Sequence, residues 1–279
     1  MPLGIIGGSG LYNLPLEAAE WRTVETPWGP PSDALLHGRL GETDIVFLPR
    51  HGRGHTIAPS DLNSRANIAA LKAAGCTAIL SLSACGSFRE DLPPGSFVVI
   101  DQLVDRTRGR ANSFFGDGIV AHVSLADPFC ASLGDAIAAA APDCIRGGTY
   151  LSMEGPQFST RAESRLYRAA GLDVIGMTAA PEAALAREAE LCYATVAMVT
   201  DYDSWREGEA VDVAAIVAVL TANAARAAAL VAGVAAGWSG FACGHGCGHA
   251  LDHAIITDRA KWPRATVERL SGIAGRVLA

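Results

Sequence analysis

Short apolar runs separated by longer stretches of helical period set the first expectation for this chain. Leu3–Ile6, Thr43–Leu48, Ala78–Ser83, Ser96–Ile100, Asp173–Met177 and Leu191–Thr200 are rich in apolar residues and of strand length. Such runs, bounded by Gly, Pro or polar residues, predict strands covered on both faces. Between them, helical patterns cover Asp61–Ala74, Arg161–Ala170, Ala180–Ala189, Val211–Ala235 and Pro263–Leu278. Asp61, Ser159 or Thr160, and Ala179 stand near the starts of the first, second and third of these. The alternation predicts an α/β fold in a single domain, with a central mixed β-sheet flanked by helices. No internal repeat or low-complexity linker is visible. Gly-rich Gly237–Gly248 separates a main domain, residues 1–236, from a C-terminal extension, residues 237–279, packed on the same domain.

Composition narrows the classes of function. Half of the 279 residues are hydrophobic and the formal net charge is −7, which argues against a surface built for nucleic acid or anionic membrane. A small anion then requires a local pocket. The N-terminal segment from Met1 lacks a basic flank and an apolar core of signal length, so it reads as a first strand, with the cytoplasm as the default location. Val211 to Trp238 is apolar, but Asp212, Asn223 and Arg226 interrupt it, favouring a buried or subunit-facing helix over a membrane span. Seven cysteines, odd in number and mostly dispersed, do not form a secreted disulfide framework.

Four segments at predicted strand ends carry candidate chemistry. Gly7-Gly8-Ser9-Gly10 lets backbone approach an anion and adds a hydroxyl, although a strand-ending turn explains the glycines equally well. Arg50, His51 and His55 put a guanidinium suited to gripping phosphate with two prongs beside imidazole donors, in an otherwise acidic protein. Ser81, Ser83 and Gly86 end a third strand with hydroxyls and a turn. Asp201 and Asp203, at i and i+2 after an apolar run, point the same way if extended and match the edge of a 6-aminopurine. The alternative for the pair is two strand-end carboxylates held by backbone N–H groups. Phe158, in the loop Met153 to Arg161, is placed to stack on a base or to cover the core.

In order along the chain stand GIIGGSGLY (4–12), PRHGRGHTIAPSDLNSRANIAALK (49–72), SACGSFREDLPPGSFVVIDQLVDRT (83–107), EGPQFSTRAES (154–164) and IGMTAAPEAALAREAELCYATVAMVTDYDSW (175–205). Over residues 3–235 the chain resembles the methylthioadenosine phosphorylases within the purine nucleoside phosphorylase superfamily. The resemblance implies phosphorolysis of 5′-methylthioadenosine, with inorganic phosphate as co-substrate, no metal or organic cofactor, and assembly as a homotrimer or a hexamer of paired trimers. By matching position it implies that Ser9, Arg50, His51, Ser83, the Ala84 backbone and Thr178 hold phosphate. Met177 would pack under the ribose, with Phe158 and Ile175 on the two sides of the base. Asp201 and Asp203 would be the catalytic pair, Asp201 donating or sharing a proton at purine N7 and Asp203 accepting from the 6-amino group or holding Asp201 in place. Relatives acting on 6-oxopurines typically carry Asn at the position of Asp201, so a methylthioinosine or general purine nucleoside phosphorylase is the runner-up. Val213, Ile216, Val217 and Leu220 form one helical stripe. The resemblance assigns Val213, Ile216 and Val217 to a methylthio subsite, with His122 reaching in from a neighbouring subunit. The chain departs from some members at Gly176, where they carry Asn. A purine nucleoside sensor without turnover, and a hydrolase using water, are the remaining alternatives.

Cys243, His245, Cys247, His249 and His253 are zinc-type ligands, and His249 and His253 share a face if the segment is helical. Their spacing and interleaved glycines do not match a common closed zinc site. The expectation is a turn leading into the last helix, without metal or disulfide.

Overall fold

The first apolar run forms β1 (Leu3–Gly7), fully buried between β4 (Thr43–Pro49) and β5 (Ala78–Ser87), both parallel to it. The computed structural model describes residues 1–8, 14–208 and 211–278. Beyond β4 the sheet continues through β3 (Leu35–Leu40) to β2 (Glu17–Arg22), both antiparallel additions. Beyond β5 it passes through β10 (Val174–Gly176) and β9 (Thr149–Met153) to β7 (Gln102–Arg106). A branch leaves β5 through β11 (Cys192–Asp201), which carries β6 (Phe97–Val99) and then β8 (Ile145–Arg146). The result is the mixed sheet that the alternating pattern predicts.

Strand periodicity sends successive side chains to opposite faces, and two cores result. Ile6 and Ile79 pack with α1 (Ser64–Ala73), α4 (Ala179–Glu188) and α6 (Arg264–Leu278). Leu3, Ile5, Leu80 and Leu82 pack with α2 (Ala131–Ala140) and α5 (Val213–Ala236). The C-terminal segment contributes Leu251, Leu270, Ile273 and Leu278 to the first core. By length and composition α5 is apolar enough to cross a membrane. Its second half, however, buries Ala227, Leu230, Val231 and Val234 on the sheet, and Arg226 stacks on Phe97 at 4.1 Å while donating to the Gly95 carbonyl at 2.6 Å.

Local signals account for most boundaries. The capping box of α3 (Arg161–Ala169) uses Thr160, whose hydroxyl accepts from the Glu163 N–H while the Glu163 carboxylate accepts from the Thr160 N–H. Helix α1 starts later than expected: Asp61 ends a single 3-10 turn, and Asn63 caps α1 by accepting from the Ala66 N–H at 3.1 Å. Thr178, one residue before the expected start, holds the N-cap position of α4. The unpredicted β2 is exposed along its whole length, so it carries no apolar run to read. His249 and His253 share no helix face, since Cys247–His249 is one 3-10 turn and the residues after it form turns.

Candidate active site

The sheet divides within β5. Pairing with β1 stops at Ser81 and pairing with β10 begins at Gly86, so the residues between have a strand on one side alone, β11. Ala84 is accordingly the exposed position in an otherwise buried strand. Ligands of open α/β sheets bind where neighbouring strands part, and the candidate residues gather on either side of this gap.

On the β1 side lies an anion corner. Gly7 is the register partner of Pro49, and the Arg50 N–H donates to the Gly7 carbonyl at 2.9 Å, which brings the first loop against the basic loop. A Cβ on Gly8 would stand 4.0 Å from the His51 ring. Ser9 lies outside the described residues. Ser83 Oγ is 3.2 Å from the Tyr150 hydroxyl and 3.4 Å from Thr178 Oγ1. The Thr178 hydroxyl does not cap its own helix, so it remains at the N-terminus of α4, where the helix dipole favours negative charge.

The two-pronged grip expected of Arg50 is spent inside the protein. Only 2 % exposed, Arg50 donates through Nε to Glu182 Oε1 (2.6 Å), through Nη2 to Glu182 Oε2 (3.2 Å) and Ser81 Oγ (2.6 Å), and through Nη1 to the Leu82 carbonyl (2.9 Å). A guanidinium has five N–H donors, which leaves one on Nη1 for a ligand. Tyr193 donates to Glu182 Oε2 at 2.6 Å, and burial pushes the Tyr193 hydroxyl well above its ordinary value. His51 is pushed down to about 4, by burial first and then by the Arg50 charge. Its Nδ1 is 2.9 Å from the Ile57 carbonyl, which can only accept, so Nδ1 carries the hydrogen and Nε2 is an acceptor at neutral pH. The imidazole expected as a donor to phosphate is thus an acceptor in the ligand-free protein.

On the β10 side, three strands align Ile175, Gly86 and Asp201 in register. The row has room for nothing larger than Gly at its centre: a Cβ on Gly86 would lie 2.9 Å from Asp201 Oδ1 and 3.1 Å from Ile175. Asp201 accepts from Thr200 Oγ1 (2.7 Å) and from the Asp203 N–H (2.8 Å), which satisfies the alternative expected for strand-end carboxylates without using all its lone pairs. Asp203 turns inward at φ +49°, and its buried Oδ2 has no hydrogen-bond partner among the described residues. Burial, with a smaller push from the Asp201 charge, raises the Asp203 carboxyl above the ordinary range.

The loop before α3 borders these residues. Ser204 Oγ donates to the Ser159 carbonyl at 2.9 Å, seating the loop beside Asp203 and leaving Phe158 exposed. Gly155, at φ +69°, passes so close to Met177 that a Cβ would stand 2.5 Å from its sulfur. Arg110 locks the arrangement by donating to the Met177 carbonyl and the Glu154 carbonyl, each at 2.5 Å. Gly176 is explained by Tyr150, whose hydroxyl lies 1.9 Å from where a Cβ would be. Val213 and Val217 project outward at 61 % and 53 % exposure, Ile216 is half-buried between them, and His122 is exposed.

Arg110, Tyr150, Glu182 and Tyr193 escaped the sequence reading. Glu182 follows Pro181 inside an otherwise apolar helix start, a context in which a buried acid requires a cation. The other three carry no local signal, because the partners of Arg110 and Tyr150 lie 67 positions away and that of Tyr193 belongs to the preceding helix.

Hydroxyls at a helix N-terminus stand beside two carboxylates, a donor set and an acceptor set of the kind that suit a small anion and a flat polar ligand. The chain belongs to the phosphorylase superfamily, whose family model matches residues 2–236. It is 60% identical over 228 residues to the S-methyl-5′-thioadenosine phosphorylase of Rhodospirillum rubrum, covering 80% of this chain and 78% of that one. The enzyme of the same name from Geobacter sulfurreducens is 50% identical over 280 residues, 98% of each chain. A methylthioadenosine phosphorylase from an antarctic soil metagenomic library superimposes with a TM-score of 0.93 at 42% identity, covering 97% of this chain and 98% of the other. The Schistosoma mansoni methylthioadenosine phosphorylase in complex with adenine gives 0.83 at 40% identity, covering 86% and 92%.

Proposed function

We propose that this protein cleaves S-methyl-5′-thioadenosine with inorganic phosphate, giving adenine and S-methyl-5-thio-α-D-ribose 1-phosphate. The observation that carries the reading is the row Ile175, Gly86, Asp201, set a few residues along β5 from Ser83 and Ala84. One strand thereby presents a base slot and an anion corner to a single ligand pair. A phosphate oxygen attacks C1′ as the C1′–N9 bond breaks, and the bonding electron pair leaves with the purine. Positive charge develops on the sugar and negative charge on the base, so each end needs its own stabiliser.

Phosphate sits against Ser9, the remaining Nη1 hydrogen of Arg50, the Ser83 and Thr178 hydroxyls and the Ala84 backbone. His51 Nε2 accepts the O–H of monohydrogen phosphate, which fits its unprotonated state. Phe158 and Ile175 flank the base and Met177 underlies the ribose. Asp201 and Asp203 share one proton, which passes to purine N7, and the second carboxylate oxygen set receives the 6-amino group. A carboxylate acceptor facing the 6-position favours the amino group of adenine over the oxygen of a 6-oxopurine. No metal or organic cofactor takes part.

Val213, Ile216 and Val217, with His122 of a neighbouring subunit, form the methylthio subsite. The apolar side chains that α5 leaves outward support contact with another copy of the chain, and the family resemblance makes that assembly a trimer, alone or paired into a hexamer. Sedimentation equilibrium should return a multiple of three chains, and a monomeric mass at assay concentration would refute the shared pocket. An odd number of mostly dispersed cysteines, unlike a secreted disulfide framework, suits a cytoplasmic protein.

Initial rates of base release from methylthioadenosine, adenosine and methylthioinosine, with and without phosphate, test the function. Methylthioadenosine with phosphate should be fastest. Adenosine should lose about 1–3 kcal/mol for a 5′-hydroxyl left unpaired against the apolar wall, roughly five- to 150-fold in kcat/KM. Fastest release from methylthioinosine would install the 6-oxopurine reading. Phosphate-independent release would mean a hydrolase, and binding without release a sensor.

A further inference from the structure

Four cysteines outside the active site meet at the far end of β11. Cys130 holds the N-cap position of α2 and Cys192 opens β11. Cys243 and Cys247 come from the C-terminal extension, where Gly246 at φ +77° turns the chain between them. All four thiols are unbridged, and their sulfurs lie within 4.8 Å of one another, with Cys130 and Cys243 at 3.8 Å. Four thiolates bound tetrahedrally to zinc at ~2.3 Å place neighbouring sulfurs about 3.8 Å apart. The spacing is therefore that of a ligand shell, drawn from three distant parts of the chain.

The surroundings complete the comparison. Cys130, Cys192 and Cys247 are buried and Cys243 is the most open, so four protein ligands close the shell and no position is left for a substrate. The Leu133 N–H donates to Cys130 Sγ at 3.4 Å, and Arg187 Nη1 to Cys247 Sγ at 4.0 Å. Such outer donors orient thiolates and offset their charge. We propose that Cys130, Cys192, Cys243 and Cys247 form a closed tetrathiolate site for one structural zinc ion. Four Zn–S bonds form as four thiol protons leave to solvent, and the resulting net charge of −2 is partly balanced by Arg187. An all-sulfur tetrahedral set selects zinc over oxygen-preferring ions.

The ion has no part in the phosphorolysis, because Cys192 and Asp201 stand at opposite ends of the 10-residue β11, about 30 Å apart at strand rise. Its role is to fasten the C-terminal extension to the start of α2 and the start of β11. The site differs from the metal-free expectation because only two ligands lie in the Cys/His segment that suggested one. His249 instead pairs with Asp252 at 3.3 Å, and His245 lies 3.4 Å from Arg187.

Elemental analysis of the untagged full-length protein, purified without chelator, tests the site. It should give one zinc per chain, released when a mercurial reagent titrates the four thiols. Replacement by cobalt should produce the sulfur-to-metal charge-transfer absorption of a tetrathiolate centre. Cys243→Ser and Cys247→Ser should each lower zinc content sharply and expose the extension after Gly237 to protease. The cobalt spectrum of the unmutated protein decides the matter if the variants fold poorly. Metal-free protein with four reactive thiols would overturn the proposal. So would a mass lighter by four hydrogens, which means two cystines, or iron in place of zinc, or variants that keep their zinc.

Discussion

Asp201→Asn should lower kcat by about two to four powers of ten, the usual contribution of a positioned general acid, with little change in KM for the nucleoside. Asn keeps the shape of Asp and still donates a hydrogen bond, so the base continues to bind. It has no proton to give up, so negative charge on the departing purine stays unrelieved in the transition state. The same amide can face the oxygen of a 6-oxopurine, and the variant should therefore gain methylthioinosine relative to methylthioadenosine. Steady-state kinetics on both substrates reads the two effects together, and an unchanged kcat would remove Asp201 from the acid role. The pH dependence has a definite sign. Burial raises the Asp203 carboxyl, and the pair is productive while it retains its shared proton. kcat should fall as pH rises through that raised value, and Asp203→Asn should abolish this limb of the profile.

Glu182→Ala should cost about 3–5 kcal/mol of stability, the usual penalty for leaving one member of a buried ion pair alone. Arg50 and Glu182 are 2% and 1% exposed and bonded twice, so the guanidinium would remain charged with no water to replace its partner. Domains of this kind have about 5–15 kcal/mol in total, and a shift of the denaturant midpoint should be plain. The KM for phosphate should rise as well, since Glu182 fixes the plane of Arg50 and thus the direction of its remaining donor. A loss under about 1 kcal/mol would show that the pair is solvated in practice. Glu182→Gln separates the two effects, keeping an acceptor for Nε while removing the charge.

Apolar runs located all six predicted strands because those strands lie in the buried sheet, where each residue needs an apolar environment. Strands β2, β3, β7, β8 and β9, short or interrupted by polar residues, and the Ala-rich α2 lacked that signal. Asp201, Asp203, Arg50 and His51 were visible as polar or charged groups at strand ends. The identity of Arg50's partner was not, since Glu182 stands 132 positions away. The tautomer of His51 likewise depends on the Ile57 carbonyl, a backbone group with no signature in the sequence. The four-cysteine cluster was hidden for the same reason: it is assembled by the fold and not by local spacing.

The parting of β1 and β10 along β5 makes that strand a ruler. Ser83, proposed to touch phosphate, and Gly86, proposed to underlie the base, are joined by three residue steps, about 10 Å of extended backbone, and β11 pairs with the same stretch across a bulge between Val199 and Asp201. The separation between attacking group and departing base is thereby written in covalent geometry and not in the packing of independent loops. A single inserted residue between Ser83 and Gly86 would change the length of the ruler and also turn every later side chain to the opposite face. Of all the connections in the molecule, this short span should tolerate substitution in kind while tolerating no change in number.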